Sequence, residues 1–252
     1  MKQSDLHKMA HVCLLIFDAY GLTVSETGSA AEFEDRMALI GKPPNRKTLD
    51  PNSQLLFEHR ISAILLQHKG QDIGGVIARS LDLGARPVAD LLDAEAGILY
   101  DSDRPPKLTS PTSHQMQGIV AYCGEMWFKP TGPGEKWRGL PGLSPALVRY
   151  IQTHAFGRWG CDWVYGIIKK GEVEDRGRAV HYGFCCVEPN LQSFEDVDED
   201  GRDSSEYLVA NSRDQFAHVI RCCTEDPHMY FPGFEEISKG VADGNTRRVA
   251  AK

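Results

Sequence analysis

The chain has no stretch of about 18 consecutive apolar residues, so no membrane-spanning helix is expected. The apolar run Val12–Phe17 is too short and too far from the start to be the core of a secretion signal. Positive charge is not in excess. Lys and Arg number 28 against 35 Asp and Glu, a net charge of −7, without the broad basic footprint that nucleic-acid binding needs. A local basic pocket remains compatible with that balance. No C-x-x-C pair occurs among the seven cysteines, an odd number that includes the neighbours Cys185-Cys186 and Cys222-Cys223. Free thiols in a reducing compartment are therefore expected, and with them a cytoplasmic location. His181, Cys185, Cys186, His218, Cys222, Cys223 and His228 do not follow a tetrahedral zinc spacing. The acidic stretch Glu195–Asp200 lacks the spaced ligands of a calcium loop and reads as a solvated loop, so no metal is expected. There is no internal repeat.

What is present is an ordinary globular composition. The 252 residues are 41% hydrophobic and 25% charged, enough for one large domain or two small ones with a sizeable core. Val12–Phe17 reads as a buried strand or short helix. Phe33, Met37 and Ile40 recur at helical spacing over Ser29–Ile40, with Ser29 and Glu32 as a capping pair and Gly41-Lys42-Pro43-Pro44-Asn45 as the stop. The isoleucine-rich runs Ile61–Leu66 and Ile73–Ile77 flank the polar connector His68–Asp72 and predict a hairpin. Gly84–Met116 reads as an insertion holding a helix over Val88–Tyr100 and a Pro/Ser/Thr/Asp-rich loop.

The next strand, Gly118–Phe128, is apolar on both sides and so is expected to be central. Strict alternation puts Ile119, Ala121, Cys123, Glu125 and Trp127 on one face and Val120, Tyr122, Gly124, Met126 and Phe128 on the other. The glycine-rich basic loop Lys129–Leu143 follows. Ser144 is the expected N-cap of a helix running to Arg158, with Pro145 in its first turn. A strand that turns through glycines into a helix N-terminus gathers backbone N–H groups at one point, an arrangement suited to a pyrophosphate. Trp163–Ile168, Phe184–Val187 and Tyr207–Ala210 read as strands. Arg176–Tyr182 and Ser212–Arg221 read as helices, the latter with a Ser212/Gln215 capping box, and the tail beyond about Gly240 reads as frayed.

In this order the elements resemble the GCN5-related N-acetyltransferase superfamily. The residues that carry the resemblance are the Ile61–Arg79 hairpin and the Tyr122–Pro130 strand. After them come Arg138-Gly139-Leu140-Pro141-Gly142-Leu143-Ser144, with Ala146-Leu147 in the following helix, then Cys161–Ile168, and last Arg178–Phe184 closing on Gly-Phe. It covers roughly residues 55 to 190. The order of parts is more specific than any one motif.

The resemblance implies a mixed α/β fold whose central, largely antiparallel sheet is flanked by helices and splayed between its central strands. It divides the chain into an N-terminal elaboration (1–54), a core (55–224) with the insertion 84–116, and a C-terminal extension (225–252). It implies transfer of an acetyl or longer acyl group from acyl-coenzyme A, as co-substrate, to a small-molecule or protein amine by direct attack. A homodimer is compatible with it. Met126, Trp127 and Phe128 are implied to pair with the pantetheine arm. Arg138, Gly139, Leu140, Gly142, Leu143, Ser144 and Ala146 are implied to hold the pyrophosphate. Glu125, a lone carboxylate in an apolar strand, is the expected general base, with desolvation bringing it toward a useful pKa. Tyr182 is the expected acid. Cys123 reads as a small buried hydrophobe rather than a nucleophile.

The sequence departs from the family pattern in three ways. Arg138 stands four residues before Gly142 rather than three. Pro141 and Pro145 offer no N–H. Ala179 occupies the position where the family often has tyrosine. Two other readings share the core: a synthase of N-acyl amino acids or acyl-homoserine lactones, suggested by Glu32–Arg36, and a non-catalytic acyl-coenzyme A-binding module.

Overall fold

The computed structural model describes residues 1–53, 59–100, 107–130, 137–189, 191–193, 206–235 and 238. Helix α1 (Gln3–Ala19) absorbs the Val12–Phe17 run. Leu6, Met9, Cys13, Ile16 and Phe17 recur every three or four residues, so one face of a long helix is buried and a strand is not formed. Strand β1 (Leu22–Thr27) follows, then helix α2 (Ala30–Ala38), capped by the Ser29 hydroxyl, which accepts from the Glu32 N–H at 3.1 Å. Strands β2 (Arg60–His68) and β3 (Gln71–Asp82) form the expected hairpin. Its turn is Lys69-Gly70, both at positive φ.

Helix α3 (Val88–Tyr100) lies in the insertion, which also holds strand β4 (Lys107–Leu108). The central strand is β5 (Ile119–Phe128). Helix α4 spans Leu143–Arg158 and strand β6 Trp163–Lys169. The expected short helix over Arg176–Tyr182 is present as α6 (Arg178–His181), which starts after Gly177 at φ 59°, and a further short helix, α5 (Lys170–Glu174), precedes it. Strands β7 (Cys186–Glu188), β8 (Gln192–Ser193) and β9 (Glu206–Ser212) lead to helix α7 (Arg213–Glu225), and α8 (Pro227–Tyr230) follows. The Ser212/Gln215 capping box of α7 is formed in both directions. The acidic stretch Glu195–Asp200 and the tail beyond Gly240 lie outside the described residues.

Among the described residues the fold is a mixed α/β sheet of seven strands in the order β1-β2-β3-β5-β6-β9-β7, plus a β4–β8 ribbon. All neighbouring pairs in the large sheet are antiparallel except β5–β6. Helices cover both faces. Against one lie α1, α4 and α7, with Met9, Ile16, Phe17, Leu147, Phe156 and Phe216 fully buried. Against the other lie α2 and α3, with Phe33, Met37, Leu92, Tyr122 and Tyr165. Arg79 of β3 and Glu95 of α3 form a buried ion pair that ties this second layer to the sheet. No described helix is long and apolar enough to cross a membrane.

Candidate functional site

The one parallel pair in the sheet is also the one that comes apart. β5 and β6 are in register at Val120–Trp163, Ala121–Val164 and Tyr122–Tyr165 only. The strands still touch at Gly166, where a Cβ would meet the Cys123 carbonyl at 3.1 Å. Beyond it β5 runs on to Phe128 beside β3, and β6 runs on to Lys169 beside β9. Among the described residues, the edge of β5 that faces β6 therefore has no strand partner over Gly124–Phe128. Unpaired strand edges offer N–H and C=O groups to an extended ligand. Met126, Trp127 and Phe128 lie on this edge.

Strict alternation fails along β5. The β3 register jumps from Gly75–Trp127 to Ile77–Gly124, so two residues of β5 stand opposite one of β3. Glu125 takes the extra conformation at φ 54°, rare for a residue with a side chain. The bulge switches the faces. Ala121, Cys123, Met126 and Phe128 pack toward α4, while Tyr122 lies in the α2 and α3 layer. Glu125 faces that second layer too, since its partners come from the segment after α2. Glu125 and Met126, neighbours in sequence, look to opposite sides of the sheet across the opening.

On the Glu125 side the carboxylate is engaged at both oxygens. Oε2 accepts from Lys42 Nζ at 2.8 Å, and Oε1 from the Arg46 N–H at 3.2 Å. Both side chains of the pair are largely buried, 3% and 12% exposed. The Arg46 guanidinium reaches Glu206 of β9 at 3.6 Å. Residues 42–46 thus link β5 to β9, the strand on the far side of β6. Tyr122 adds a hydroxyl, close enough that a Cβ on Gly124 would meet it at 2.8 Å. Burial, and then the Glu125 charge, push this phenol up, so it stays a donor.

On the other side lies a cavity of about 280 Å³ at the N-terminus of α4, lined by Leu140, Gly142, Ser144, Arg176, Arg178 and Tyr182 among others. Gly142, not Ser144, is the N-cap. It sits at φ 72°, and Ser144 becomes the second helical residue without capping the helix. Of the N–H groups expected to face a pyrophosphate, three already have backbone acceptors: Leu140 on Trp137, Leu143 on Leu140 and Ala146 on Gly142. Those of Gly142 and Ser144 donate to no backbone carbonyl among the described residues. Arg138 and Gly139 form a 3-10 turn with Trp137, whose ring lies 5.0 Å from that of His68. The Tyr20 hydroxyl donates to the Pro141 carbonyl at 2.8 Å, fixing the turn to α1.

Tyr182 lines this cavity just after α6 and shares a cluster with Val148, Phe184 and Val209, against which Met126 also packs. Ala179 is buried in the same cluster. Cys123 packs toward α4, and burial pushes its thiol well up, which keeps it protonated. Among the described residues no group of His, Cys, Asp and Glu is arranged to hold a metal ion.

Sequence reasoning passed over Lys42, Arg46 and Arg176. Lys42 lies in the cluster that ends α2 and reads only as a stop signal. Its partner is 83 residues away, a pairing with no local signature. Arg176 and Arg178 share Glu172 as partner and line the cavity because α5 and α6 turn at Gly177.

No protein-family model matches the chain, and no curated protein sequence matches it. Solved structures do align with it. An aminoglycoside acetyltransferase crystallised with coenzyme A and kanamycin is 13% identical, over 78% of this chain and 98% of its own, with a TM-score of 0.43. A polyamine N-acetyltransferase of Drosophila melanogaster, which forms N-acetylagmatine, is 10% identical over 76% and 99%, with a TM-score of 0.44.

Proposed function

We propose that the chain is an acyltransferase of the GCN5-related N-acetyltransferase type, moving an acetyl group from coenzyme A to an amine in a ternary complex. One observation carries this reading. The parallel strands β5 and β6 part at a bulge, and a cavity with a basic wall lies at the α4 N-terminus on one side of the opening. A pantetheine arm would pair with the free edge at Met126–Phe128. The pyrophosphate would take the Gly142 and Ser144 N–H groups, with the arginines across the cavity in place of the donors that Pro141 and Pro145 lack.

Direct attack needs the two reactants held together more than it needs covalent machinery. The bulge separates the reactants by face. The donor enters on the α4 side and the amine on the α2 side, and they meet in the gap. Glu125 would take the amine's proton, directly or through water, once Lys42 gives up its place. Tyr182, which lines the cavity, would protonate the leaving thiolate.

The test is release of free thiol from acetyl-coenzyme A with a panel of amines. Amine-dependent release supports the reading. Binding without release on any amine would make the chain a binding module. Turnover only with long acyl chains or carrier-bound donors would make it a synthase.

A further inference from the structure

Lys42 occupies the position beside Glu125 that, on the acyltransferase reading, an acceptor amine would reach. Its nitrogen makes three hydrogen bonds, to Glu125 Oε2 at 2.8 Å, Asn45 Oδ1 at 2.8 Å and the Pro43 carbonyl at 3.1 Å. Its side chain is 3% exposed, so reagents in bulk water do not reach it. The carboxylate it touches stands on the bulge where β5 leaves β6. A thioester lying in that opening would present its carbonyl to the same small region. The segment is held in place around the nitrogen: the Asn45 N–H donates to Glu34 at 2.7 Å and the Asn45 amide to the Leu49 carbonyl at 3.1 Å.

We propose that Lys42 is acylated by the chain's own bound acyl-coenzyme A. The inference rests on the acyltransferase reading. The ammonium passes one proton to Glu125, and the neutral amine attacks the thioester carbonyl. The new C–N bond forms and the C–S bond breaks. The thiolate leaves as coenzyme A thiol, taking up a proton, and one proton in total is released to solvent. The product is a neutral amide, which no longer pairs with Glu125. Acylation therefore frees the carboxylate to receive a proton from an external amine, and the first acyl group transferred opens the site for the next.

Full-length protein is incubated with acetyl-coenzyme A, then weighed by intact mass spectrometry and mapped by peptide. The expected result is a single acetyl group on Lys42, absent from Lys42→Arg and slowed roughly 10²-fold in Glu125→Gln. The same incubation in denaturing urea is expected to leave Lys42 unlabelled. Labelling in urea, or labels spread over other lysines and unchanged in Lys42→Arg, would overturn the proposal. No mass gain, with acetyl-coenzyme A still raising the melting temperature, would overturn it and leave the acyltransferase reading standing. Neither a gain nor a thermal shift would remove both.

Discussion

The Lys42 ammonium lies 2.8 Å from the Glu125 carboxylate, and the two residues bind the segment after α2 to the bulge of the central strand. Burying one charge without its partner is costly. Lys42→Met is expected to destabilise the fold by about 3–5 kcal/mol. Lys42→Met with Glu125→Gln is expected to recover most of that loss, because no lone charge then remains. Urea unfolding of the three variants checks this, and additive losses would show that the pair is not coupled.

Glu125→Gln keeps the side chain's size and removes its basicity. Turnover is expected to fall by roughly 10²–10⁴-fold while acetyl-coenzyme A affinity changes little, since the proposed donor site lies on the opposite face. Steady-state kinetics beside calorimetric binding separate the two effects. Unchanged turnover would remove Glu125 from the base role.

Gly142 joins the turn to α4 at φ 72°, and a Cβ there would meet the Pro232 carbonyl at 3.1 Å. Gly142→Ala is expected to cost about 1–2 kcal/mol. It should also weaken acetyl-coenzyme A binding, because Gly142 and Ser144 line the cavity proposed to take the pyrophosphate. Thermal melts with and without ligand measure both.

Two histidines are expected to weaken the fold in acid. Burial, helped by Arg79, pushes His59 down to about 4. His154 is also lowered, first by burial and then by Arg158, against an opposing pull from Glu26. Its Nε2 contacts the Ser62 hydroxyl at 3.0 Å. Each is neutral in the fold at pH values where the unfolded chain begins to take up a proton. Stability is thus expected to fall as pH drops from about 6.5 toward about 4, with no contribution above that window. His59→Gln should flatten this limb in a plot of melting temperature against pH. An unchanged limb would assign the acid loss to other groups.

The hairpin, the helix over Val88–Tyr100, the central strand and the Ser212 capping box were legible because each rests on local periodicity or turn chemistry. The bulge at Glu125 was not. It is set by pairing with β3, and it moves Met126 and Phe128 onto the face that alternation assigned to Ala121 and Cys123. Strand β1 was missed because its polar residues alternate little and its place is fixed by β2. The same limit applies to the site. The glycine turn into α4 was readable from residues 139–145, but Lys42 and Arg46 reach Glu125 only through the fold.

Calorimetric titration of acetyl-coenzyme A into the full chain tests the central claim most directly. The expected result is saturable binding at one site and a matching rise in melting temperature, about 2.7 kcal/mol of added stability at a hundredfold excess over the dissociation constant. Binding should be weakened in Gly142→Ala and nearly unchanged in Glu125→Gln. No heat and no thermal shift at millimolar ligand would contradict it, leaving the opening between β5 and β6 without the donor assigned to it.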